Sequence, residues 1–369
     1  MPRPAVLFGG PSPEHDISIL TGLQAARALV QAGDDPMAIY WAKNGEFHLV
    51  DAKLEASDYV NGVPAKATPL ELAVRPGGGF MSEGGRFSKR SAIEITAVLN
   101  CCHGGPGEDG SLQAALELAG VRYTGPSAVG AALGMDKLAF AGVIAAVGLP
   151  SLPRHVLTPA GSNPEFEGPY IVKPRFGGSS IGIEIVDDID VARSLMKASA
   201  HLRDGAIVEP YLPDAIDLNI SLRVSPTLQL SPIEKPLRRE KSGQIYTYAE
   251  KYLGGGEGLS SAPRELPASI PDDIAARIRD AAGAVATAAL VRGAPRIDFL
   301  LNGDDLYVNE INTIPGALSW YLWNAAGVPF ATLLRDLLAE AKAPTRHYST
   351  DGADGSALRA AGSIAGKLA

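Results

Sequence analysis

The chain has 369 residues, of which 46% are hydrophobic and 20% are charged, and its formal net charge is −8. This length predicts more than one globular unit, with ample apolar material for a core. An acidic chain without a basic stripe argues against nucleic-acid binding. No segment reaches the ~20 apolar residues that a membrane span needs, and the N-terminus lacks a signal-peptide pattern. We therefore expect a cytoplasmic protein without nucleic-acid or membrane partners.

Short apolar runs alternate with glycine-rich turns in the first third of the chain. Strand, glycine-rich turn and helix is the opening of an α/β domain. The adjacent Cys101 and Cys102 follow apolar residues, so we expect buried thiols and a reducing compartment. Residues 50 to 92 are irregular and predict strands joined by loops. The predicted elements are strands at 5–8, 37–40 and 97–102 and helices over 17–30 and 112–119.

The rest of the chain continues the α/β pattern and contains one long polar segment. Residues 238–263 are rich in glycine and too long for an ordinary connection, which is typical of a lid. The tail after Pro344 is rich in small residues and is either flexible or a weak helix. Strands are predicted at 170–172, 183–186, 206–208, 218–224 and 228–233, a hairpin at 296–312, and helices over 135–147, 191–200, 274–291 and 330–341.

The hairpin carries the strongest chemical signal. Alternate residues of a strand face the same side, so Arg296 and Asp298 share one face, and Glu310 and Asn312 share a face on the return strand. Two carboxylates and an amide oxygen are ligands that suit Mg²⁺ held together with phosphates. An ordinary solvated face is the alternative, because this pattern is weak evidence by itself.

A second signal is Lys173 followed by a loop of glycines and serines at 177–182. Small residues let backbone N–H groups approach a phosphate, and the lysine adds a positive charge. A tight hairpin turn is the alternative. Lys137, at the start of a predicted helix, is either a second phosphate contact or a surface lysine. Glu209 ends a strand, where backbone groups can read an adenine edge or the chain can simply reverse at Pro210.

Two further segments follow strand ends, where ligands bind in open α/β sheets. Glu14 lies just before the first helix and is placed to hold a cationic amine, while Asp16 is placed to cap the helix. His103 opens a glycine-rich segment and is either a substrate contact or a plain buried histidine.

These motifs occur in one order between Ala5 and Glu340: VLFGGPSPEHDIS, HGGPGEDGSLQAALELAGVRYTGPS, GMDKLAF, VKPRFGGSSIG, VEPYL, EKYL, RIDFLL and NEINTIPG. As a set they resemble the D-alanine–D-alanine ligases of the ATP-grasp superfamily. The resemblance implies an α/β, ATP-grasp fold of three α/β domains, with an N-terminal Rossmann-like (pre-ATP-grasp) domain. The implied units are 1–124, 125–205 and 206–345 with a lid at 238–263, followed by a flexible tail at 346–369.

The resemblance also implies the role of each matching residue. ATP would be contacted by Lys137, Lys173, Ser179, Glu209, Leu212, Asp217 and Lys251. Two magnesium ions, with manganese as a substitute, would be bound by Asp298, Glu310 and Asn312. Catalysis would rest on Glu14, Ser179, Tyr252, Arg296 and Gly316, and substrate contacts on Glu14, His103, Tyr321 and Leu322. The implied reaction activates a carboxylate as an acyl phosphate, which an amine then attacks. A homodimer is also implied.

One stretch departs from the family. After Asn312-Thr313-Ile314-Pro315-Gly316 the family continues with small polar residues, one of them a serine that binds the second D-alanine's carboxylate. Here the segment 317–323 is about four residues shorter and aromatic, and Tyr321 falls at the serine's place. D-alanyl-D-alanine synthesis for peptidoglycan stays the first expectation from the resemblance, although this departure lies at the second-substrate pocket. A ligase with a different second substrate, for example in specialised metabolism, stays open. A nucleotide-binding protein without catalysis is disfavoured, because the cationic and metal-binding residues are all present.

Overall fold

The structure is a computed structural model that describes residues 2–82, 91–237, 263–345, 349–362 and 364. No helix within these ranges is both long enough and apolar enough to cross a membrane.

The N-terminal unit is built on a sheet with strand order β6-β5-β4-β3-β2-β1-β7. Strand β1 lies next to the edge strand β7 and pairs in parallel with β2 and with β7, and the other pairs are antiparallel. Residues 5–8 of β1 are fully buried, as expected of a strand covered on both faces. The strands are β1 Arg3–Gly9, β2 Met37–Trp41, β3 Phe47–Val50, β4 Thr68–Ala73, β5 Gly79–Ser82, β6 Ser91–Ala92 and β7 Ile95–Asn100.

Two helices of this unit place residues beside the ends of β1 and β7. Helix α1, His15–Gln31, lies so close to β1 that a Cβ at Gly22 would be 2.4 Å from Phe8 Cβ. Helix α2 spans Ser111–Ala119. The predicted strands and helices of this region are confirmed, and Cys101 and Cys102 are buried free thiols just past β7.

The central unit is an antiparallel sheet in the order β10-β9-β11-β8. The helix predicted over 135–147 is confirmed over Lys137–Ala146. A separate helix that was not predicted ends at Met135, and the two are divided by Asp136. Its carboxylate accepts hydrogen bonds from Leu138 N and Ala139 N and caps the second helix. The elements are α3 Ala128–Met135, α4 Lys137–Ala146, β8 His155–Leu157, β9 Tyr170–Pro174, β10 Glu184–Val186, α5 Ile189–Ala198 and β11 Ala206–Pro210.

The C-terminal unit is a second antiparallel sheet, in the order β13-β12-β16-β17. Helix α6, Asp272–Ala288, packs its apolar face against this sheet. A separate pair of short strands, β14 and β15, lies beside β12. The strands are β12 Ile216–Arg223, β13 Gln229–Leu230, β14 Lys235–Pro236, β15 Arg264–Glu265, β16 Arg296–Asn302 and β17 Asp305–Asn312.

The last helices return to the N-terminal unit. Apolar residues of the segment 314–337, including Leu318 and Trp323, share one core with Phe8 and Leu29. The N-terminal unit is therefore completed by residues from the other end of the chain. These helices are α7 Trp320–Ala325 and α8 Phe330–Glu340, and the tail holds a short exposed helix, α9 Ser356–Ala361.

Candidate active site

A single cavity is lined by residues that belong to, or directly follow, strands of three different sheets. His103 follows β7, Lys173 lies on β9, and Asp298 lies on β16. The cavity brings together these residues named in the sequence analysis: Glu14, His103, Lys137, Lys173, Ser179, Glu209, Leu212, Asp217, Arg296, Asp298, Glu310, Asn312, Gly316 and Tyr321.

The hairpin β16–β17 presents its polar face to the cavity, as its alternation predicts. Asp298 is paired directly with Glu310, and Arg296 with Asn312. The intervening Ile297 and Phe299 are fully buried on the opposite face. The register shifts after Asp298, because β17 contains a bulge that turns Asn309 to the cavity beside Glu310. Oxygen-bearing side chains therefore converge from both strands.

Arg296 and Asp298 form a planar, two-bonded pair on this face. Arg296 Nε and Nη2 donate to the two carboxylate oxygens at 2.6 and 2.7 Å. Asn312 Nδ2 donates to Asp298 Oδ2 at 3.0 Å. Burial opposes the charge of Arg296, but Asp298 outweighs it and holds the pKa of the guanidinium well above its usual value. The cation is therefore fixed in place beside the carboxylates.

Lys173 is held by a buried carboxylate that is shared with a second cation. Lys173 Nζ donates to Glu209 Oε2 at 2.6 Å, and Arg154 Nε donates to Glu209 Oε1 at 2.7 Å. Glu209 is completely buried, and burial alone would raise its pKa. Lys173 and Arg154 outweigh that effect and lower the pKa of the carboxyl below its usual value. The side chain of Glu209 thus positions a lysine, and an adenine contact for this residue stays a prediction.

Lys137 is a second buried lysine that lines the same cavity as Lys173. Its ammonium donates to the carbonyl of Gly177. Burial is the largest cause that lowers the pKa of Lys137, and Glu310 opposes this effect. The helix that carries Lys137 is anchored to the glycine-serine loop, because Arg175 donates two hydrogen bonds to Asp136 at 2.8 and 2.5 Å. The surface-lysine alternative for Lys137 is excluded by its 6% exposure.

The glycine-serine loop has an unusual backbone. Ser179 and Ser180 both have positive φ, at 53° and 58°, which residues with a side chain seldom adopt. Such backbone strain clusters at ligand sites, and successive N–H groups in turns of this kind form concavities that bind anions. The loop therefore has a backbone of the kind found at anion-binding turns, and a phosphate contact for it stays a prediction.

Glu14 faces this loop from the N-terminal unit. Ser179 Oγ donates to Glu14 Oε1, and a Cβ added at Gly178 would lie 3.0 Å from Glu14 Oε2. A second carboxylate, Glu108, is buried nearby. Burial raises the pKa of Glu108 to about 7, and Glu14 adds to this shift. Two carboxyl groups therefore lie at this end of the cavity, and the ammonium contact of Glu14 stays a prediction.

Three buried polar residues tie the N-terminal unit to the segment after β17. His103 contacts Ile314 O through Nδ1 at 2.7 Å and Thr21 Oγ1 through Nε2 at 2.8 Å. Thr21 Oγ1 also accepts from Ala317 N at 3.0 Å. Glu108 accepts from Ile314 N at 2.9 Å. His103 is therefore a buried residue that positions the 314–317 segment, and burial lowers its pKa to about 4.

The far end of the cavity is walled by an aromatic and two charged residues. The ring of Tyr321 lies under the guanidinium of Arg264, whose Cζ is 3.9 Å from the ring centroid. Tyr321 Oη donates to Glu234 Oε2 at 3.0 Å, and Arg264 forms an ion pair with Glu234 at 3.2 Å. The hydroxyl predicted at the place of the family's serine is thus used by Glu234.

Some predicted residues are not in the cavity. Leu322, predicted to contact the substrate, is fully buried and does not line the cavity, because the first turn of α7 directs it into the interior. Lys251, Tyr252 and the predicted lid up to residue 262 lie outside the described residues.

Other functional residues were missed by the sequence analysis. Arg154 shares the Glu209 carboxylate with Lys173, and Asn309 Oδ1 lies 3.5 Å from Lys173 Nζ. Glu108, Glu234 and Arg264 were not singled out either. For Glu108 a signal existed, because it lies within the quoted GEDG motif. The others interact with partners distant in sequence and follow no local pattern.

The fold and the cavity together define an ATP-dependent ligase of the ATP-grasp class. Two family profiles match, described as "D-ala D-ala ligase N-terminus" over residues 3–126 and "D-ala D-ala ligase C-terminus" over residues 148–339. The chain belongs to the D-alanine–D-alanine ligase family.

Individual relatives agree with this assignment. A D-alanine–D-alanine ligase of Mycobacterium sp. (strain KMS) is 32% identical over 92% of this chain and 96% of its own length. The same-named protein of Mycobacterium tuberculosis (strain CDC 1551 / Oshkosh) is 34% identical over 92% and 95%.

Solved structures show the same fold. The D-alanine–D-alanine ligase from Coxiella burnetii has a TM-score of 0.74 at 23% identity, covering 92% of this chain and 94% of its own. A VanG D-Ala:D-Ser ligase from Enterococcus faecalis has a TM-score of 0.70 at 22% identity, covering 92% and 99%. The predicted ATP-grasp fold is confirmed.

Proposed function

We propose that this protein joins two molecules of D-alanine into D-alanyl-D-alanine, with ATP converted to ADP and phosphate, in the supply of peptidoglycan precursors. The observation that carries the proposal is the convergence of three groups in one cavity. These are the buried cations Lys137 and Lys173, the carboxylate-bearing hairpin around Asp298 and Glu310, and the Glu14 carboxylate opposite the glycine-serine loop.

The donor set of the hairpin fits magnesium bound together with phosphates. The described residues contain no group of three or more histidine, cysteine, aspartate or glutamate side chains that could hold a metal alone. Asp298, Glu310 and Asn312 supply only two carboxylates and an amide, and Mg²⁺ is often held by one or two carboxylates plus substrate phosphates. Two magnesium ions bound there would neutralise charge on the β- and γ-phosphates.

Residues of the chain would divide the work along the cavity. Lys137, Lys173 and the Ser179 loop would hold the phosphates of ATP, with Leu212 and Asp217 toward the nucleoside. Glu14 would hold the ammonium group of the first D-alanine. The carboxylate of this D-alanine attacks the γ-phosphorus of ATP, the bond between that phosphorus and ADP breaks, and an acyl phosphate forms. Most of the rate enhancement comes from positioning and charge neutralisation.

The second half of the reaction requires a site for developing negative charge. The amine of the second D-alanine attacks the acyl carbonyl, the C–O bond to phosphate breaks, and the amine loses a proton. Arg296 and the Gly316 amide would stabilise the oxyanion that forms at the carbonyl. The buried contacts of His103 and Thr21 hold the segment that carries Gly316. Lys251 and Tyr252 would complete the site and exclude water.

A second candidate function is ligation of D-alanine to a different amine. The observation that favours it is Tyr321, which stands where the family has a small polar segment and whose ring is covered by Arg264. Other features stay as proposals: the units at 1–124, 125–205 and 206–345, and a homodimer.

The test is a panel that measures phosphate release from ATP in the presence of magnesium. D-alanine alone should support release, and mass spectrometry should identify D-alanyl-D-alanine. No release with D-alanine alone, together with release when another amine is added, would select the second candidate. Absence of release with every amine would refute both.

A further inference from the structure

We propose that Arg264 binds the carboxylate of the second amino acid. The inference rests on the proposed function and concerns the specificity of the same cavity. Arg264 lies on the short strand β15, and its side chain lines the cavity with 14% of its surface exposed. It was not among the residues that the sequence indicated.

The second amino acid needs a donor for its carboxylate near Arg296 and Gly316. Tyr321 lines this part of the cavity, but a phenol has one proton to donate. That proton is directed to Glu234 Oε2 at 3.0 Å. The Tyr321 hydroxyl therefore cannot donate to a substrate carboxylate without giving up its bond to a buried glutamate.

The cationic side chains that line the cavity differ in the groups to which they are already bonded. Among the described residues, Lys137, Lys173, Arg264 and Arg296 line the cavity. Lys173 is bonded to Glu209 and Lys137 to Gly177, at the phosphate side. Arg296 is bonded to both oxygens of Asp298. Arg296 and Arg264 both act on the Tyr321 hydroxyl electrostatically, and of these two Arg264 is the one stacked on the Tyr321 ring, where the second amino acid would lie.

The guanidinium of Arg264 is also held in an orientation that suits a carboxylate ligand. Its guanidinium is stacked on the Tyr321 ring at 3.9 Å, which fixes the plane of its N–H donors. A guanidinium presents five donors in a planar fork that matches a carboxylate. The ion-pair partner Glu234 is the more buried of the two, with 4% side-chain exposure against 14%. Of the two side chains, Arg264 therefore presents more surface for a carboxylate to contact.

The test compares two acceptors in one reaction mixture. D-alaninamide has no carboxylate to phosphorylate, so it can serve only as the second substrate. Equal concentrations of D-alanine and D-alaninamide are supplied with ATP and magnesium, and mass spectrometry measures the ratio of D-alanyl-D-alanine to D-alanyl-D-alaninamide. The amount of folded enzyme cancels in this ratio, so a loss of stability does not change it.

The wild-type protein should prefer the carboxylate acceptor. In Arg264→Gln the ratio should fall by roughly 10- to 100-fold, the value of one charge-assisted hydrogen bond, and Arg264→Lys should restore part of it. The matched control is Arg223→Gln. Arg223 also lies over an aromatic ring, Trp323, and pairs with Asp336, but it does not line the cavity. Its ratio should equal that of the wild type.

Tyr321→Phe distinguishes the two candidate donors. It should keep the wild-type ratio if Arg264 holds the carboxylate, and a ratio that falls in Tyr321→Phe but not in Arg264→Gln would overturn the inference. An unchanged ratio in Arg264→Gln would also overturn it while leaving the proposed function standing. A wild-type protein that makes no dipeptide from D-alanine would instead refute the proposed function, and this inference with it.

Discussion

Glu209→Gln tests the buried charge cluster that holds Lys173. Glu209 is completely buried, and its two oxygens lie 2.6 Å from Lys173 Nζ and 2.7 Å from Arg154 Nε. The side chains of these cations are only 7% and 2% exposed. Glutamine has nearly the same shape but no charge, so the variant leaves two buried cations without their counter-charge.

The expected loss is large. Removing one partner of a buried ion pair costs about 3–5 kcal/mol of unfolding free energy, because the remaining charge is desolvated without compensation. At ~2–4 °C per kcal/mol, the melting temperature should fall by roughly 6–20 °C. The pKa of Glu209 is lowered in the folded state, so its contribution is present above the unfolded pKa. The difference between the two proteins should therefore be constant from pH 6 to 8 and shrink only in acid.

The assay is thermal unfolding followed by circular dichroism at several pH values. The matched control is Asp35→Asn, which removes an ion pair of similar length, 2.7 Å to Arg3, between side chains that are 77% and 45% exposed. Exposed pairs contribute at most about 1 kcal/mol, so the control should unfold close to the wild-type temperature. Equal shifts in the two variants would refute the argument that burial sets the energy of this cluster.

Three more predictions concern the hairpin β16–β17, Ser319 just before α7, and Glu108. Glu310→Gln should lower magnesium-dependent ADP release by more than ~100-fold, since even residues that only support a metal ligand contribute about 10- to 100-fold. Asp305→Asn, at the exposed start of the same strand, is the control, and unchanged release in Glu310→Gln would contradict the metal assignment. Ser319→Gly should raise the unfolding free energy by about 1–2 kcal/mol in a urea titration. Ser319 has a φ of 49°, and its buried hydroxyl has no hydrogen-bond partner within the part of the chain that the structure describes. A loss of stability would show that Ser319 has another role. Because the pKa of Glu108 is raised from 4.5 to about 7, the folded state binds the extra proton, and this group should lower stability by up to roughly 3 kcal/mol as the pH rises from 5 to 8. In Glu108→Gln, unfolding free energies from urea titrations at several pH values should lack this part of the pH dependence. The same pH dependence in the variant and the wild type would contradict the prediction.

The sequence predicts best where a feature depends on local periodicity. The alternation of β16 placed Arg296 and Asp298 on one face and Ile297 and Phe299 on the other, and the structure has this arrangement. The bulge that turns Asn309 toward the cavity breaks the same alternation on β17, and no residue type announces it. The alternation of side chains along a strand can therefore be predicted from the sequence. The position of a bulge depends on how the strand pairs with its neighbour in the sheet.

Contacts between distant segments were beyond reach of pattern analysis. Arg154 and Glu209 are 55 positions apart, and Thr21 and Ala317 are 296 positions apart. The motifs quoted from the sequence contain many of the residues that line the cavity, but the partners that hold these side chains depend on how the three sheets meet. The side chain of Leu322 is fully buried and is not part of the cavity lining, so its predicted substrate contact stays a prediction.

The core that joins Phe8 and Leu29 to Leu318, Trp323 and Leu337 has a consequence for synthesis on the ribosome. The first strands emerge early, yet the apolar surface that covers one side of them is translated last. The core of the N-terminal unit therefore cannot be completed until nearly the whole chain has left the exit tunnel, and part of it stays exposed to solvent until then. We expect a nascent chain that stops before α8 to bind chaperones and to be cut readily by proteases, although it contains every strand of the first sheet.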